Sequence, residues 1–548
     1  MKPLLIGFFV ILTSTVDAQR ISKNDKMTLQ NLKSHVSFLA DDKLEGRRAG
    51  TNGEKKAIQY ISDNFKQIGL QPKGTNSEYT QFFDISDGID FVNGSSFLIN
   101  ENHLKPLSDY FPFLYTANIE LTETAISPSL SEPNHTRFLN IGEFLLANRD
   151  NPHFDLIQKI RDEVLSASKN KAKAILLYNT SNIDDQIQFD PKGKSAIMPI
   201  PVIYLTKNAV KEYLTDPTAS YNINISLKIQ QKTRSAANVI GYRDNKAKYT
   251  IVLGAHIDHL GYGEDGNSMI RNGTPAIHNG ADDNASGTAA MLELARRLSK
   301  NKKDPFNYLF IGFSAEELGL FGSKFFVENS TIPFNTINYM INMDMVGRLN
   351  DSTKILSIGG FGTSGSWDDI ILKLKNTPLK FKLDSSGTGP SDHTSFYRKD
   401  IPVLFFFTGL HSDYHRPSDD IEKINYKGTM HIVNYIYSLI KESASYGKLA
   451  FSKTREQQTS TSARFSVSLG IMPDYSFTGN GVRVDGVSDG RPAKSVGLMA
   501  GDVLIKLGSS SISSVESYMQ VLSKYKKGDS AELTILRGKE EKKFNITF

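Results

Sequence analysis

Cysteine is absent from all 548 residues. That excludes disulfides, thiol nucleophiles and thiolate metal sites, so any metal held by this chain must rest on His and carboxylate. Beyond the first dozen residues there is also no run apolar enough to cross a bilayer, which takes roughly 20 residues in a helix. An excess of one charge is missing as well. The 64 Lys and Arg against 59 Asp and Glu leave a formal charge of +5. These basic residues are spread out rather than striped, so nothing points to nucleic acid as a partner. Stability must come from core size, which this length can supply as about two to four domains. No long-period internal repeat is present.

What is there begins with a basic start and a short apolar run, Met1 to Leu12, followed by small residues at Val16-Asp-Ala18. This reads as a signal peptide over residues 1–18 with Gln19 as mature N-terminus. The run is too short for an anchor, and no Cys follows it to carry a lipid. An exported protein, periplasmic or secreted, is expected, with no transmembrane segment after the signal peptide.

Helical spacing of Leu32, Val36 and Leu39, and again of Ala57, Ile58, Ile61, Phe65 and Ile68, predicts two helices before residue 70. The polar connection between them, Asp42 to Gly50, reads either as a surface loop or as a loop packed near a site. From about 105 to 232 Pro, Asn and Ser are frequent and strand-like runs appear (Ala174–Tyr178, Ile200–Tyr204), which predicts an inserted β-rich domain without catalytic residues. Buried-type strands then alternate with helical pattern: Tyr249–Gly254, the helix Ala285–Leu298, Tyr308–Phe313, Tyr339–Asn342 and Val403–Phe407. This alternation predicts an α/β fold with a sheet whose ligands gather beyond the strand C-termini. After 450 a polar stretch, residues 451–464, reads as a linker into a compact β-rich module.

The acidic and imidazole residues sit at or just past those strand ends. His256 and Asp258 stand two apart, so that His256 can bind metal while Asp258 holds its other ring nitrogen; His259 is read as a bystander. Asp282-Asp283 opens the helix, where helix capping competes with metal bridging. Glu316-Glu317 follows a strongly apolar strand. Consecutive residues point apart, so one can be a ligand and the other a general base. Asp344 ends the next strand and His415 lies in a Pro-flanked loop. So many ligands exceed one tetrahedral site with an open position and suit two metal ions about 3.5–4 Å apart. His and carboxylate favour zinc, with manganese or cobalt possible by ligand type.

His256-Ile-Asp258, Gly280-Ala-Asp-Asp-Asn-Ala-Ser-Gly287, Glu316-Glu317, Asn342-Met-Asp344 and Tyr414-His415 together resemble the motif set of the M28 zinc peptidases, in the same order. Leu44-Glu-Gly-Arg47 and Gly50-Thr-Asn-Gly53 resemble that family's N-terminal part. The resemblance implies an α/β, mixed-sheet zinc-peptidase domain flanked by helices over 19–104 and 233–450. It implies His256, Asp283, Glu317, Asp344 and His415 as ligands of two Zn2+, with Glu316 as base. On this reading Asp258 orients a ligand and Tyr414 either donates to the oxyanion or is a packing residue. Ser391-Asp-His393 is read as a pocket wall. Residues 105–232 resemble a protease-associated insert, and 465–548 a PDZ domain whose loop Ser468, Leu469, Gly470 and Ile471 would take a peptide C-terminus.

The function so implied is aminopeptidase hydrolysis of peptide substrates. The alternatives are a carboxypeptidase using Arg348 or Arg416 as a carboxylate clamp, a one-zinc glutaminyl cyclase, and a non-catalytic peptide-binding receptor. The receptor reading would call for lost ligands or a lost base, and none is lost.

Overall fold

Runs such as Tyr249–His256, Phe306–Phe313 and Ile337–Met343 are buried along nearly their whole length, as expected for strands covered on both faces. In the computed structural model they form the centre of a nine-stranded sheet. Across it the order is Gln71–Pro72, Gln230–Arg243, Phe306–Phe313, Tyr249–His256, Ile337–Met343, Val403–Phe407, Ile355–Gly359 and Lys380–Leu383, with Thr80–Asp90 also pairing with Gln230–Arg243. The structure describes residues 22–548 apart from 114–115, 117, 129–131, 150–153, 155, 190, 192–197, 217, 271–273, 301–303, 455–466, 474–476, 478, 488–490, 514, 523 and 527. The expected signal peptide lies outside the described residues, as does most of the expected linker.

The four central strands, from Phe306–Phe313 to Val403–Phe407, run parallel, and the two that adjoin them, Gln230–Arg243 and Ile355–Gly359, pair antiparallel. The sheet is therefore mixed, as expected. Parallel neighbours bring their C-terminal ends to one edge, and that edge carries the site. The helices Lys23–Leu39, Asn52–Ile68, Gly287–Leu298 and Tyr426–Ser443 share a core with one face of the sheet. Among them the buried Glu293 is satisfied by Thr28 at 2.7 Å, Asn31 at 2.9 Å and Arg296. Removing any one donor would leave a buried charge short of a partner.

A separate core runs from Phe91 to Leu227. It joins two four-stranded sheets, one of them containing Ser96–Ile99 and Asn102–Leu104. The insert's core thus starts ahead of residue 105, because the ribbon of Thr80–Asp90 against Gln230–Arg243 leads directly into it. It also contains the helix Leu156–Lys169, which its apolar stripe Ile160, Val164 and Ala167 anchors. A third core, Val467 to Ile546, belongs to the C-terminal module, whose sheet has Ile471–Pro473 at one edge.

Candidate metal centre

His256 closes its strand, Asp344 follows the neighbouring one, and Glu316-Glu317 follows the strand on the other side. The parallel register therefore gathers residues nearly a hundred positions apart. His256 Nε2 lies 3.3 Å from Asp283 Oδ1 and 3.3 Å from Asp344 Oδ1. His415 Nε2 lies 3.4 Å from Asp283 Oδ2 and 3.1 Å from Glu317 Oε2. Asp283 thus turns one oxygen to each imidazole. Two sets of donor atoms result, His256 with Asp283 and Asp344, and His259 with Asp283 and Glu317. In each set the atoms lie within 4.8 Å of one another. The chemistry of this donor set, imidazole and carboxylate around a shared aspartate, fits a pair of divalent cations.

The two adjacent aspartates have opposite fates. Asp282 Oδ1 accepts from Gly347 N at 2.6 Å and Ser286 Oγ at 3.0 Å, and its Oδ2 stands 3.1 Å from His411 Nε2. Both of its oxygens are used inside the fold, which leaves Asp283 to face the centre. Neither acid caps the helix Gly287–Leu298; the N–H of Gly287 goes to Asn284 Oδ1 at 2.9 Å. Asp419, which the sequence reading did not single out, accepts from the N–H groups of Asp282 and Asp283, each at 3.0 Å, and so sets the turn that aims Asp283. Gly280 enters this turn at φ 55°, a left-handed conformation, and a Cβ there would lie 2.0 Å from Asp283 O.

Asp258 departs from expectation. His256 Nδ1 meets the backbone oxygen of Asp258 at 3.2 Å, whereas the nearest carboxylate oxygen is 3.8 Å away. The carboxylate instead accepts from Glu316 N at 3.1 Å and Glu317 N at 3.3 Å. Its contact with the imidazole is through the main chain, because the chain turns just after the strand.

Electrostatics then separate the two glutamates. Burial, with the charges of Glu317 and Asp344 added, holds Glu316 well above the usual carboxylate range against the pull of His256. For Glu317 the effect of burial is outweighed by His415, with His259 adding to it, and its carboxyl is pulled down to about 2. Identical neighbours therefore differ in proton affinity. Tyr414 stacks on His415, ring centroids 3.8 Å apart, and burial together with the negative charge of Asp283 and Glu317 keeps its hydroxyl protonated.

Outside this ring, Ser391 Oγ donates to Asp344 Oδ2 at 2.8 Å and accepts from Asn342 at 2.7 Å. His393 stacks on Phe405 at 4.5 Å, away from the donor sets. The segment read as a wall thus also holds a carboxylate in place. The Asp42–Gly50 connection is packed at the site. Fully buried Arg47 donates to Ile257 O at 2.9 Å, Asn279 O at 2.6 Å, Gly280 O at 3.1 Å and Leu39 O. Burial lowers this guanidinium to about 10, and the surrounding acids, Asp283 first, oppose that shift. Sequence reasoning missed Arg47 as a site residue; its inclusion in a family-like stretch was the available signal.

Residues 238–440 match the peptidase family M28 model and residues 455–548 the PDZ domain model. It is over residues 238–440 that the chain is similar to peptidase family M28. Aminopeptidase YwaD of Bacillus subtilis is 25% identical over 431 residues, covering 75% of this chain and 85% of that one. Leupeptin-inactivating enzyme 1 of Streptomyces exfoliatus is 32% identical over 171 residues, or 29% and 37% of the two chains. A solved zinc aminopeptidase from Bacillus subtilis aligns with a TM-score of 0.43 at 21% identity, over 77% and 95%. All five expected M28 ligand positions fall inside the matched segment and converge at the sheet edge.

Proposed function

We propose that this M28 peptidase is an exported, zinc-dependent aminopeptidase with a two-metal centre. The observation that carries the reading is Asp283, whose two oxygens face His256 at 3.3 Å and His415 at 3.4 Å. Asp283 would be shared by both ions, with His256 and Asp344 completing one side and Glu317 and His415 the other. When bound, the ions supply a water acidic enough to lose its proton near neutral pH and polarise the scissile carbonyl. Manganese or cobalt would suit the same ligands.

Glu316 takes the proton from the attacking water and returns it to the leaving amine. Its raised proton affinity supports that task, since a base must hold the proton until the amine departs. Asp258 keeps the Glu316–Glu317 backbone in register, and the Tyr414 hydroxyl donates to the oxyanion. An acidic centre of this kind also suits the α-ammonium of a peptide N-terminus. Of the two cations that the carboxypeptidase alternative could use, Arg348 and Arg416, the first is engaged with Asp413 at 3.2 Å. The one-zinc cyclase reading is disfavoured by the presence of two donor sets.

The PDZ domain binds a peptide C-terminus. In the loop Ser468–Ile471, Gly470 has φ 82°, and a Cβ there would meet Arg491 at 2.1 Å. Ile471–Pro473 is an edge strand to which a peptide can add. Export rests on the leader; no helix among the described residues is long and apolar enough to cross a membrane.

Free aminoacyl chromogenic substrates and their N-blocked equivalents, assayed with and without chelator and against Glu316→Gln, test the reading. Cleavage of free substrates alone, lost in chelator and in the variant, is expected. Equal cleavage of blocked substrates would defeat the aminopeptidase reading, and full activity of Glu316→Gln would defeat the assigned base.

A further inference from the structure

His259 has no place in the five-residue ligand set, yet its side chain is built into the centre. It is 2% exposed. The backbone N–H of His259 is tied to Arg47 O at 3.2 Å, and its ring occupies space opened by Gly280, where a Cβ would lie 2.5 Å from the imidazole. Nδ1 stands 2.7 Å from Glu317 Oε1 and 4.0 Å from Asp283 Oδ1. The ring meets that of His415 edge-on, centroids 5.9 Å apart. Two different imidazoles therefore address the same pair of carboxylates.

We propose that His259 Nδ1 is a further ligand of the ion held by Asp283, Glu317 and His415. This rests on the two-ion reading above. The two positions then become unequal. One has a single imidazole and two carboxylates, His256, Asp344 and Asp283. The other has two imidazoles and two carboxylates, His259, His415, Glu317 and the shared Asp283. Imidazole favours zinc and carboxylate-rich sites accommodate manganese, so the His259 position retains zinc when both metals compete.

X-ray absorption of the full chain loaded with zinc tests this. Three imidazoles shared over two zinc ions are expected, falling to two in His259→Ala. In a competition titration against a chromogenic chelator the tighter ion of His259→Ala weakens by about 100-fold or more, beyond what loss of an outer-shell partner causes. Two imidazoles over two zinc ions in the wild-type chain would reduce His259 to a hydrogen-bond donor on Glu317 and overturn the proposal, whether or not the variant folds. Unaltered scattering and affinity in a folded His259→Ala would overturn it equally. A wild-type chain that takes up fewer than two zinc ions overturns instead the two-ion reading on which it rests.

Discussion

The Asp258 carboxylate receives the backbone N–H groups of Glu316 at 3.1 Å and Glu317 at 3.3 Å, so one buried acid holds both of the glutamates proposed as base and ligand. Asp258→Asn turns one accepting oxygen into a donor that faces an N–H. The expected result is a fall in kcat of about 10–100-fold with zinc content nearly unchanged, the magnitude typical of outer-shell partners. Steady-state kinetics beside metal analysis would decide it, and an unaltered kcat would remove Asp258 from the machinery.

Glu316→Gln removes the proposed base but leaves Glu317 and its contacts. A loss of about 10²–10⁴-fold in kcat is expected, the usual worth of general base catalysis, with both ions still bound. Loss of metal together with activity would instead make Glu316 a ligand.

Ser391 donates to Asp344 Oδ2 at 2.8 Å. Ser391→Ala leaves that carboxylate free to rotate and is expected to weaken metal affinity by about 10–100-fold. Isothermal titration of chelator-treated chain would read this, and unchanged affinity would assign Ser391 to packing alone.

Gly280→Ala places a Cβ against Asp283 O and His259 at a positive φ. Because the neighbouring atoms are backbone and a buried ring, neither can yield cheaply. The variant should lose thermal stability and zinc binding together; normal zinc affinity would show that the turn accommodates a side chain.

Glu54, buried in the first turn of the helix Asn52–Ile68, accepts from Gly50 N at 2.6 Å and from the Ser314 hydroxyl. Burial raises its carboxyl to about 8, far above its unfolded value. A raised acid favours the folded state fully below its unfolded pKa, and that contribution is lost as pH climbs through the folded value. Relative to the wild type, Glu54→Gln should therefore gain stability between pH 5 and 8.5, by on the order of a few kcal/mol. Urea unfolding of chelator-treated protein at both pH values tests this, and a constant difference would show that Glu54 does not titrate on folding.

Much of this was legible in the chain itself. Apolar strands alternating with helical pattern could only bury themselves as an α/β sheet, and acids placed at the ends of such strands had to converge at one edge. The residue types at His256, Asp283, Glu317, Asp344 and His415 by themselves restrict the metal chemistry to what imidazole and carboxylate favour.

Tertiary structure decided what adjacency could not. Asp282 and Asp283 are the same residue type one position apart; the N–H of Gly347, the hydroxyl of Ser286 and the ring of His411, which reach Asp282, leave Asp283 to the centre. His256 and Asp258 suggested a side-chain pair, but the turn after the strand sent that carboxylate to Glu316 and Glu317. His259 read as a bystander because its partner Glu317 lies 58 residues further along the chain. Local sequence determines which groups end a strand, whereas contacts made across that distance are set only when the sheet closes.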